Sequence, residues 1–131
     1  MNEAVLSCRG LRKRFHEGEL DVEVLRGVDF AVTRGETVAI VGPTGAGKTT
    51  IADLVLRFHD PESGSIEFDG VDARKITRSS LRQLCAVVTQ EPFLFDTTIL
   101  ENIRYGRPEA SFAEVVEAAR AANAHDFVEN L

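Results

Sequence analysis

Residues 42–49 carry the pattern Gly-x-x-x-x-Gly-Lys-Thr, and each defined position is suited to binding phosphate groups. The glycines of this loop allow successive backbone N–H groups to turn towards one anion. Lys48 supplies a positive charge for β- and γ-phosphates, and the hydroxyl of Thr49 is placed to ligate Mg²⁺. Thr50 adds another hydroxyl donor. The pattern therefore predicts a nucleotide-phosphate site with a magnesium ion.

Such a loop works only between a strand and a helix, because the N–H groups and positive dipole end of the helix face the anion. The apolar run at 36–41 predicts a fully buried strand that leads into the loop. Residues 48–58 predict a helix whose apolar face carries Ile51, Leu54, Val55 and Phe58. This context disfavours the alternative, a simple glycine turn with an exposed lysine.

The remaining pattern predicts a mixed α/β chain. Alternation predicts strands at 28–32 and 65–69, the second closed by an Asp69-Gly70 turn, and 85–89 reads as another buried strand. Capping-box patterns predict three helix starts, and the last helix covers about 112–123 with Phe112, Val115, Val116 and Ala119 on one face. The three caps are Ser80 with Gln83, Thr98 with Glu101, and Ser111 with Glu114.

Composition places the 131 residues in one globular domain with a formal net charge of −6. The basic cluster at 11–14 is best explained as a solvated strand end, so no nucleic-acid partner is expected. Cys8 and Cys85 are expected to be unpaired, buried thiols in a reducing cytosol. No apolar run reaches the length of a membrane span, so membrane association would require a partner.

Four segments together resemble the first half of the nucleotide-binding domain of ABC transporters, and the resemblance covers essentially the whole chain. These segments are 24–30, 34–50, 56–70 and 81–106, the last being most similar to the exporter branch. The resemblance implies an α/β fold: a RecA-like P-loop NTPase core with an antiparallel β subdomain, incomplete and truncated in the helical subdomain. It assigns the antiparallel subdomain to 1–35 and about 65–70, the core to 36–64 and 80–90, and the Q-loop and first helices to 91–131.

The resemblance also assigns site residues. Phe15 falls where the family stacks an aromatic ring on adenine, although a core phenylalanine at a strand end is the alternative. Gln90 matches the Q-loop glutamine, which contacts Mg²⁺ and the attacking water and senses the membrane partner. The apolar segment 92–95 either packs in the core or docks a helix of a membrane subunit. The implied ATP set is Phe15, Gly42, Thr44, Gly45, Ala46, Gly47, Lys48, Thr49, Thr50 and Gln90, with Thr49 and Gln90 as Mg²⁺ ligands.

Hydrolysis needs further groups that the sequence does not contain: an Asp-Glu pair after an apolar strand, the L-S-G-G-Q signature and a switch histidine. His16, His59 and His125 lie outside that histidine's motif and are expected at the surface. The resemblance implies a second ATP-binding domain supplying the signature, membrane domains as partners, and a cytoplasmic location at the inner membrane face. The alternatives are a non-hydrolysing nucleotide-binding module and, less favoured, a P-loop kinase or a DNA-repair ABC ATPase.

Overall fold

The computed structural model describes residues 3–131, which form two compact units. The first unit ends at Val87, and the second runs from Val88 to Leu131. Each unit has its own secondary structure.

The first unit is built on a four-stranded antiparallel sheet with the strand order β2-β1-β3-β4. Its strands are β1 (Ala4–Glu17), β2 (Leu20–Thr33), β3 (Ser63–Phe68) and β4 (Val71–Asp72). The Asp69-Gly70 turn between β3 and β4 is confirmed, since φ is 47° at Asp69 and 77° at Gly70, as a tight two-residue hairpin loop requires. The alternating strands predicted at 28–32 and 65–69 lie within β2 and, except for Asp69, β3.

Two helices, α1 (Lys48–Val55) and α2 (Arg78–Leu84), and a 3₁₀ turn (Ala73–Lys75) complete the secondary structure of this unit. Ile51 and Leu54 of α1 are buried, as their helical spacing predicted. They join side chains of the sheet and of α2 in one apolar core, and burial of these side chains stabilises the unit. The core contains Cys8, Leu11, Leu25, Ile51, Leu54, Ile66, Phe68, Ala73 and Leu81.

The prediction that residues 36–41 and 85–89 form buried strands is wrong for this chain. Neither segment forms a strand, and no strand among residues 3–131 pairs with them. Val41 is 92% exposed and Val88 is 99% exposed. A run that is apolar on both faces becomes a buried strand only between neighbouring strands and covering helices, and the described residues do not supply these.

Two predicted helix boundaries in the first unit are also wrong. The helix α1 ends at Val55 rather than at residue 58, because Arg57 adopts a left-handed conformation with φ of 57°. As a result Phe58 leaves the apolar face of the helix and is 61% exposed. Ser80 does not cap α2, since the cap is Thr77, whose hydroxyl accepts a hydrogen bond from the backbone N–H of Ser80 at 3.1 Å.

The second unit consists of three helices, α3 (Ile99–Arg104), α4 (Phe112–Ala121) and α5 (His125–Glu129). The caps predicted at Thr98 and Ser111 are confirmed, and Ser111 forms the complete capping box with Glu114. Val115 and Ala119 are buried on α4, whereas Phe112 at its start is exposed. The hydrogen bonds from Ser111 and the guanidinium of Arg107 lower the pKa of Glu114.

The expectation that all three histidines are surface residues is wrong for His125. Its side chain is only 14% exposed, and its Nε2 lies 3.2 Å from Glu129 Oε1 within α5. Both cysteines are free, but only Cys8 is fully buried, whereas Cys85 is half-buried. Burial raises the pKa of Cys8 to about 11. Among residues 3–131, no helix is long and apolar enough to cross a membrane.

Candidate functional site

The loop at 42–47 joins the segment 36–41 to α1. Gly45 and Gly47 have φ values of 83° and 86°, a conformation that residues other than glycine rarely adopt. The backbone N–H of Ala46 donates to the carbonyl oxygen of Pro43 at 3.2 Å, which closes a turn within the loop. The glycines are therefore needed here for backbone geometry, as the sequence pattern predicted.

The helix α1 begins at this loop without a side-chain cap. Its N-cap residue is Gly47, and its first turn contains no acidic residue. By contrast, α2, α3 and α4 begin at hydroxyl caps: Thr77, Thr98 and Ser111. The first-turn N–H groups of α1 thus remain available to an anion, with the positive end of the helix dipole behind them.

The side chain of Lys48 folds back over the loop. Its Nζ donates to the carbonyl oxygen of Gly42 at 2.5 Å and to that of Pro43 at 2.7 Å. A lysine ammonium has three N–H donors, so these two bonds hold the charge above the loop and leave capacity for another acceptor. The positive charge and the uncapped helix end lie in the same short segment.

The loop is also packed against β2. A Cβ atom at Gly47 would lie 2.9 Å from Leu25 Cδ2 and 3.0 Å from Val24 Cγ1, so a larger residue would overpack this contact. Val22, two residues from Val24 and therefore about 7 Å along the strand, pairs with Phe15 of β1. The sheet register thus places Phe15 on the strand beside the part of β2 that the loop contacts.

Phe15 lies outside the buried core, which disfavours the core-phenylalanine alternative. Its side chain is 37% exposed. Its ring centroid lies 6.1 Å from that of His59 with an interplanar angle of 87°, and Lys13 Nζ lies 5.4 Å from the Phe15 centroid. An exposed ring with a supported position is suited to stacking on a flat base.

The remaining loop residues have the chemistry that Mg²⁺-nucleotide binding requires. Thr44, Ala46 and Thr49 are exposed, and Thr50 is half-buried on α1. Mg²⁺ prefers oxygen ligands and is commonly held by one or two protein oxygens together with phosphate oxygens and water. A single exposed hydroxyl beside a phosphate-binding loop fits this coordination. No cluster of three or more His, Cys, Asp or Glu side chains suited to a metal occurs among residues 3–131.

Gln90 lies at an exposed bend in the second unit. The segment that follows it is exposed as well, and its rings contact each other: Phe93 and Phe95 have centroids 5.0 Å apart, and Phe95 and Tyr105 have centroids 4.5 Å apart. Asn102 fixes this segment, because its side chain accepts from Phe95 N–H at 2.8 Å and donates to the Phe95 carbonyl at 3.1 Å. Residues 92–95 therefore form an ordered apolar surface rather than a packed core.

The basic cluster at 11–14 is largely paired. Arg12 NH1 lies 3.4 Å from Glu23, and Arg14 NH1 lies 3.2 Å from Asp21, both across the β1–β2 ladder. These acids on the neighbouring strand neutralise the guanidinium groups. The arrangement matches the interpretation of the cluster as a solvated strand end.

Four residues that organise this site were not predicted from the sequence. Leu25 and Val24 seat Gly47, and His59 contacts Phe15. Arg57 NH1 donates to the carbonyl oxygens of Ala73 and Ile76, each at 2.9 Å, and joins the end of α1 to the 3₁₀ turn. No local pattern marks these contacts, because each joins segments that are distant in sequence.

Comparison with known proteins decides the family. A family model described as ABC transporter matches residues 25–131. The chain belongs to the ABC transporter family.

Two curated relatives of this ABC transporter chain show how similar the sequences are. The chain is 53% identical over 108 residues, 82% of its length, to a fatty acid ABC transporter ATP-binding/permease protein of Mycobacterium bovis, of which it spans 17%. It is 48% identical over 118 residues, 90% of its length, to an ATP-dependent lipid A-core flippase of Chromohalobacter salexigens, of which it spans 20%.

A solved structure of a bacterial Atm1-family ABC exporter with ATP bound superposes with a TM-score of 0.86 and 43% identity over 99% of the chain. The chain covers 22% of that protein. The chain thus has the fold of an ABC ATPase domain, which confirms the predicted α/β class, and it spans about a fifth of the length of the relatives described here.

Proposed function

We propose that this chain binds Mg-ATP through residues 42–50, as the phosphate-loop part of an ABC exporter ATPase domain that powers transport across a membrane. The observation that carries the proposal is the geometry of Lys48. Its ammonium is held by two loop carbonyls above a glycine turn, next to an uncapped helix end. This combination of a positive charge and outward N–H groups is suited to a polyphosphate and to few other ligands.

Each residue has a definite task in the proposed complex. The N–H groups of the loop and of α1 bind the β- and γ-phosphates, Lys48 neutralises them, and Phe15 stacks on the adenine. Thr49 would hold Mg²⁺, and the ion supplies neutralisation of phosphate charge when it is bound. Gln90 carries the amide that the Q-loop role requires, because an amide can accept and donate without competing for the proton.

The membrane partner belongs to the same proposal. The exposed segment 92–95 follows Gln90 directly and is held in shape by Asn102. An ordered apolar surface of this kind is suited to docking a helix of a transmembrane domain. A second ATP-binding domain would supply the signature motif, and the assembly would lie at the cytoplasmic face of the membrane.

Titration of the chain with Mg-ATP tests the phosphate role. Lys48→Ala should weaken ATP binding about 10- to 100-fold, because a charge-assisted hydrogen bond contributes about 1.5–3 kcal/mol. Lys75→Ala, at an exposed lysine of the 3₁₀ turn, is the matched control and should leave the affinity unchanged. Equal affinities for the Lys48 and Lys75 variants would refute the proposal.

The base-stacking role is tested separately at Phe15. Phe15→Tyr keeps the aromatic face and should bind ATP about as well as the parent chain. Phe15→Ala should bind ATP about 5- to 150-fold more weakly, since a stacked aromatic contributes about 1–3 kcal/mol. If Phe15→Ala binds ATP unchanged, another residue contacts the base.

A further inference from the structure

Phe15 lies in a part of the sheet where β1 pairs with β2 but no longer with β3. The pairing between β1 and β3 ends at Arg12 and Ser63, whereas the pairing between β1 and β2 continues to Glu17 and Leu20. From residue 13 onwards β1 is therefore one arm of a two-stranded ribbon. Such ribbons are marginally stable in water without further support.

The segment that follows α1 supplies a contact where the third strand is missing. Asp60 accepts a hydrogen bond from Lys13 Nζ at its backbone oxygen, at 3.2 Å. The neighbouring residue, His59, places its ring almost perpendicular to Phe15, with centroids 6.1 Å apart. Two consecutive residues thus contact the ribbon at Lys13 and at Phe15.

This supporting segment is itself fixed on several sides. Arg57 Nε lies 3.0 Å from Asp60 Oδ1, and the same guanidinium binds two carbonyls near the 3₁₀ turn. Phe58 N–H donates to the backbone carbonyl oxygen of Asp53 in α1 at 2.8 Å, and Glu62 N–H donates to that of Arg12 in β1 at 3.0 Å. His59 is exposed, yet its backbone is held between the phosphate-loop helix and the sheet.

We propose that His59 is a positioning residue for the nucleotide base: its ring holds Phe15 in the orientation that stacks on adenine. This inference rests on the proposed function, because it assigns a support to the base-stacking residue of that site. In this arrangement α1 presents its N-terminus to the phosphates, and the segment after its C-terminus fixes the base platform. The position of the base is thereby coupled to that of the phosphate loop through one helix.

The experiment compares binding of Mg-ATP with binding of inorganic tripolyphosphate, which has the phosphates but no base. His59→Ala should weaken ATP binding about 2- to 10-fold, the range expected for an edge-to-face ring pair, and should leave tripolyphosphate binding unchanged. His59→Phe keeps a ring edge and should restore ATP binding. In a Phe15→Ala background, His59→Ala should have no further effect on ATP.

Three results would overturn the inference: unchanged ATP affinity in His59→Ala, equal weakening of ATP and tripolyphosphate, or an undiminished His59→Ala effect in the Phe15→Ala background. Failure of the proposed function gives a different result. In that case Lys48→Ala changes the affinity for neither ATP nor tripolyphosphate. Alternatively, Phe15→Ala leaves the affinity for ATP unchanged.

Discussion

Gly47 packs directly against Leu25, since a Cβ atom at Gly47 would lie 2.9 Å from Leu25 Cδ2 and 3.3 Å from the backbone oxygen of Val24. The last glycine of the phosphate loop is thus seated on the antiparallel sheet. Two independent constraints act at this position, the contact with β2 and the left-handed φ of 86°. Gly45 has a similar φ of 83°, but a Cβ atom there would meet open space.

Gly45 and Gly47 therefore form a matched pair for mutation. Gly45→Ala should lower the free energy of unfolding by about 1–2 kcal/mol, the cost of a left-handed alanine. Gly47→Ala should cost about 1–3 kcal/mol more, because the methyl group also overpacks the contact with Leu25 and Val24. Urea unfolding of both variants measures the difference. Equal losses would show that the loop moves away from β2 at no cost.

Arg57 offers a second matched pair, because it combines a left-handed φ of 57° with two hydrogen bonds to backbone carbonyls. Arg57→Ala should lower the free energy of unfolding by about 2–4 kcal/mol, since it leaves half-buried carbonyls without a donor. The strained backbone conformation is unchanged in this variant. Arg57→Gly loses the same bonds but relieves the strain, so it should be about 1 kcal/mol less destabilising than Arg57→Ala. Chemical unfolding distinguishes the two. A glycine variant no more stable than the alanine variant would contradict the left-handed conformation.

The local signals of the sequence were sufficient for several parts of the fold. The glycine turn at 42–47, the Asp69-Gly70 turn and the Ser111 capping box depend on residues within a few positions of each other, so a short pattern specifies them. Ser80 and Gln83 also fit a capping box, so the pattern predicts Ser80 as the cap of α2. The capping bond is instead accepted by the Thr77 hydroxyl from the backbone N–H of Ser80, and the Thr77 hydroxyl in turn donates to Ser80 Oγ.

The prediction of strands at 36–41 and 85–89 is wrong for a different physical reason. Their apolar residues describe what a strand buries when it is covered, but pairing depends on partner strands that a local pattern does not encode. Local patterns do not predict the contacts of His59 with Phe15 and of Leu25 with Gly47 for the same reason. Each depends on the packing of α1 and β2 rather than on neighbouring residues.

The pH dependence of stability should contain a contribution from Asp72. Its carboxylate accepts hydrogen bonds from the Arg74 side chain, with Nε at 3.0 Å and NH2 at 2.6 Å, and from Arg74 N–H at 2.8 Å. The Arg74 side chain and backbone N–H together lower the pKa of Asp72 to about 2. A carboxyl group whose pKa is lower in the folded state stabilises that state above its unfolded pKa of about 3.9. This stabilisation is lost as pH falls from about 4 to about 2.

Unfolding free energies of the parent chain and Asp72→Asn, measured between pH 2 and pH 6, test this contribution. Asp72→Asn should be less stable near pH 6 by less than about 1 kcal/mol, because the Arg74 side chain is exposed and solvent screens the pair. The difference should shrink towards zero at pH 2. Arg74→Ala, which keeps the backbone N–H donor, should show an intermediate dependence. A constant difference across this range would contradict the lowered pKa of Asp72.

ATP turnover by the chain alone should not exceed background, even where ATP binds. Attack of water on the γ-phosphate requires an acid that holds Mg²⁺ and a base that orients the water, and these are normally placed at the end of a strand. The first carboxylate after the loop at 42–47, that of Asp53, lies within α1. Glu91 follows Gln90 in the second unit and is exposed. Neither carboxylate stands at the end of a paired strand.

Phosphate release from saturating Mg-ATP, compared between the parent chain and Lys48→Ala, measures the turnover. Both chains should release phosphate at the same rate as buffer alone. The binding titration, by contrast, should show different ATP affinities for the two chains. A release rate that depends on Lys48 would mean that a carboxylate within the chain acts as the missing base. Asp53→Asn and Glu91→Gln would then identify it, because each removes one negative charge and changes the volume of the side chain little.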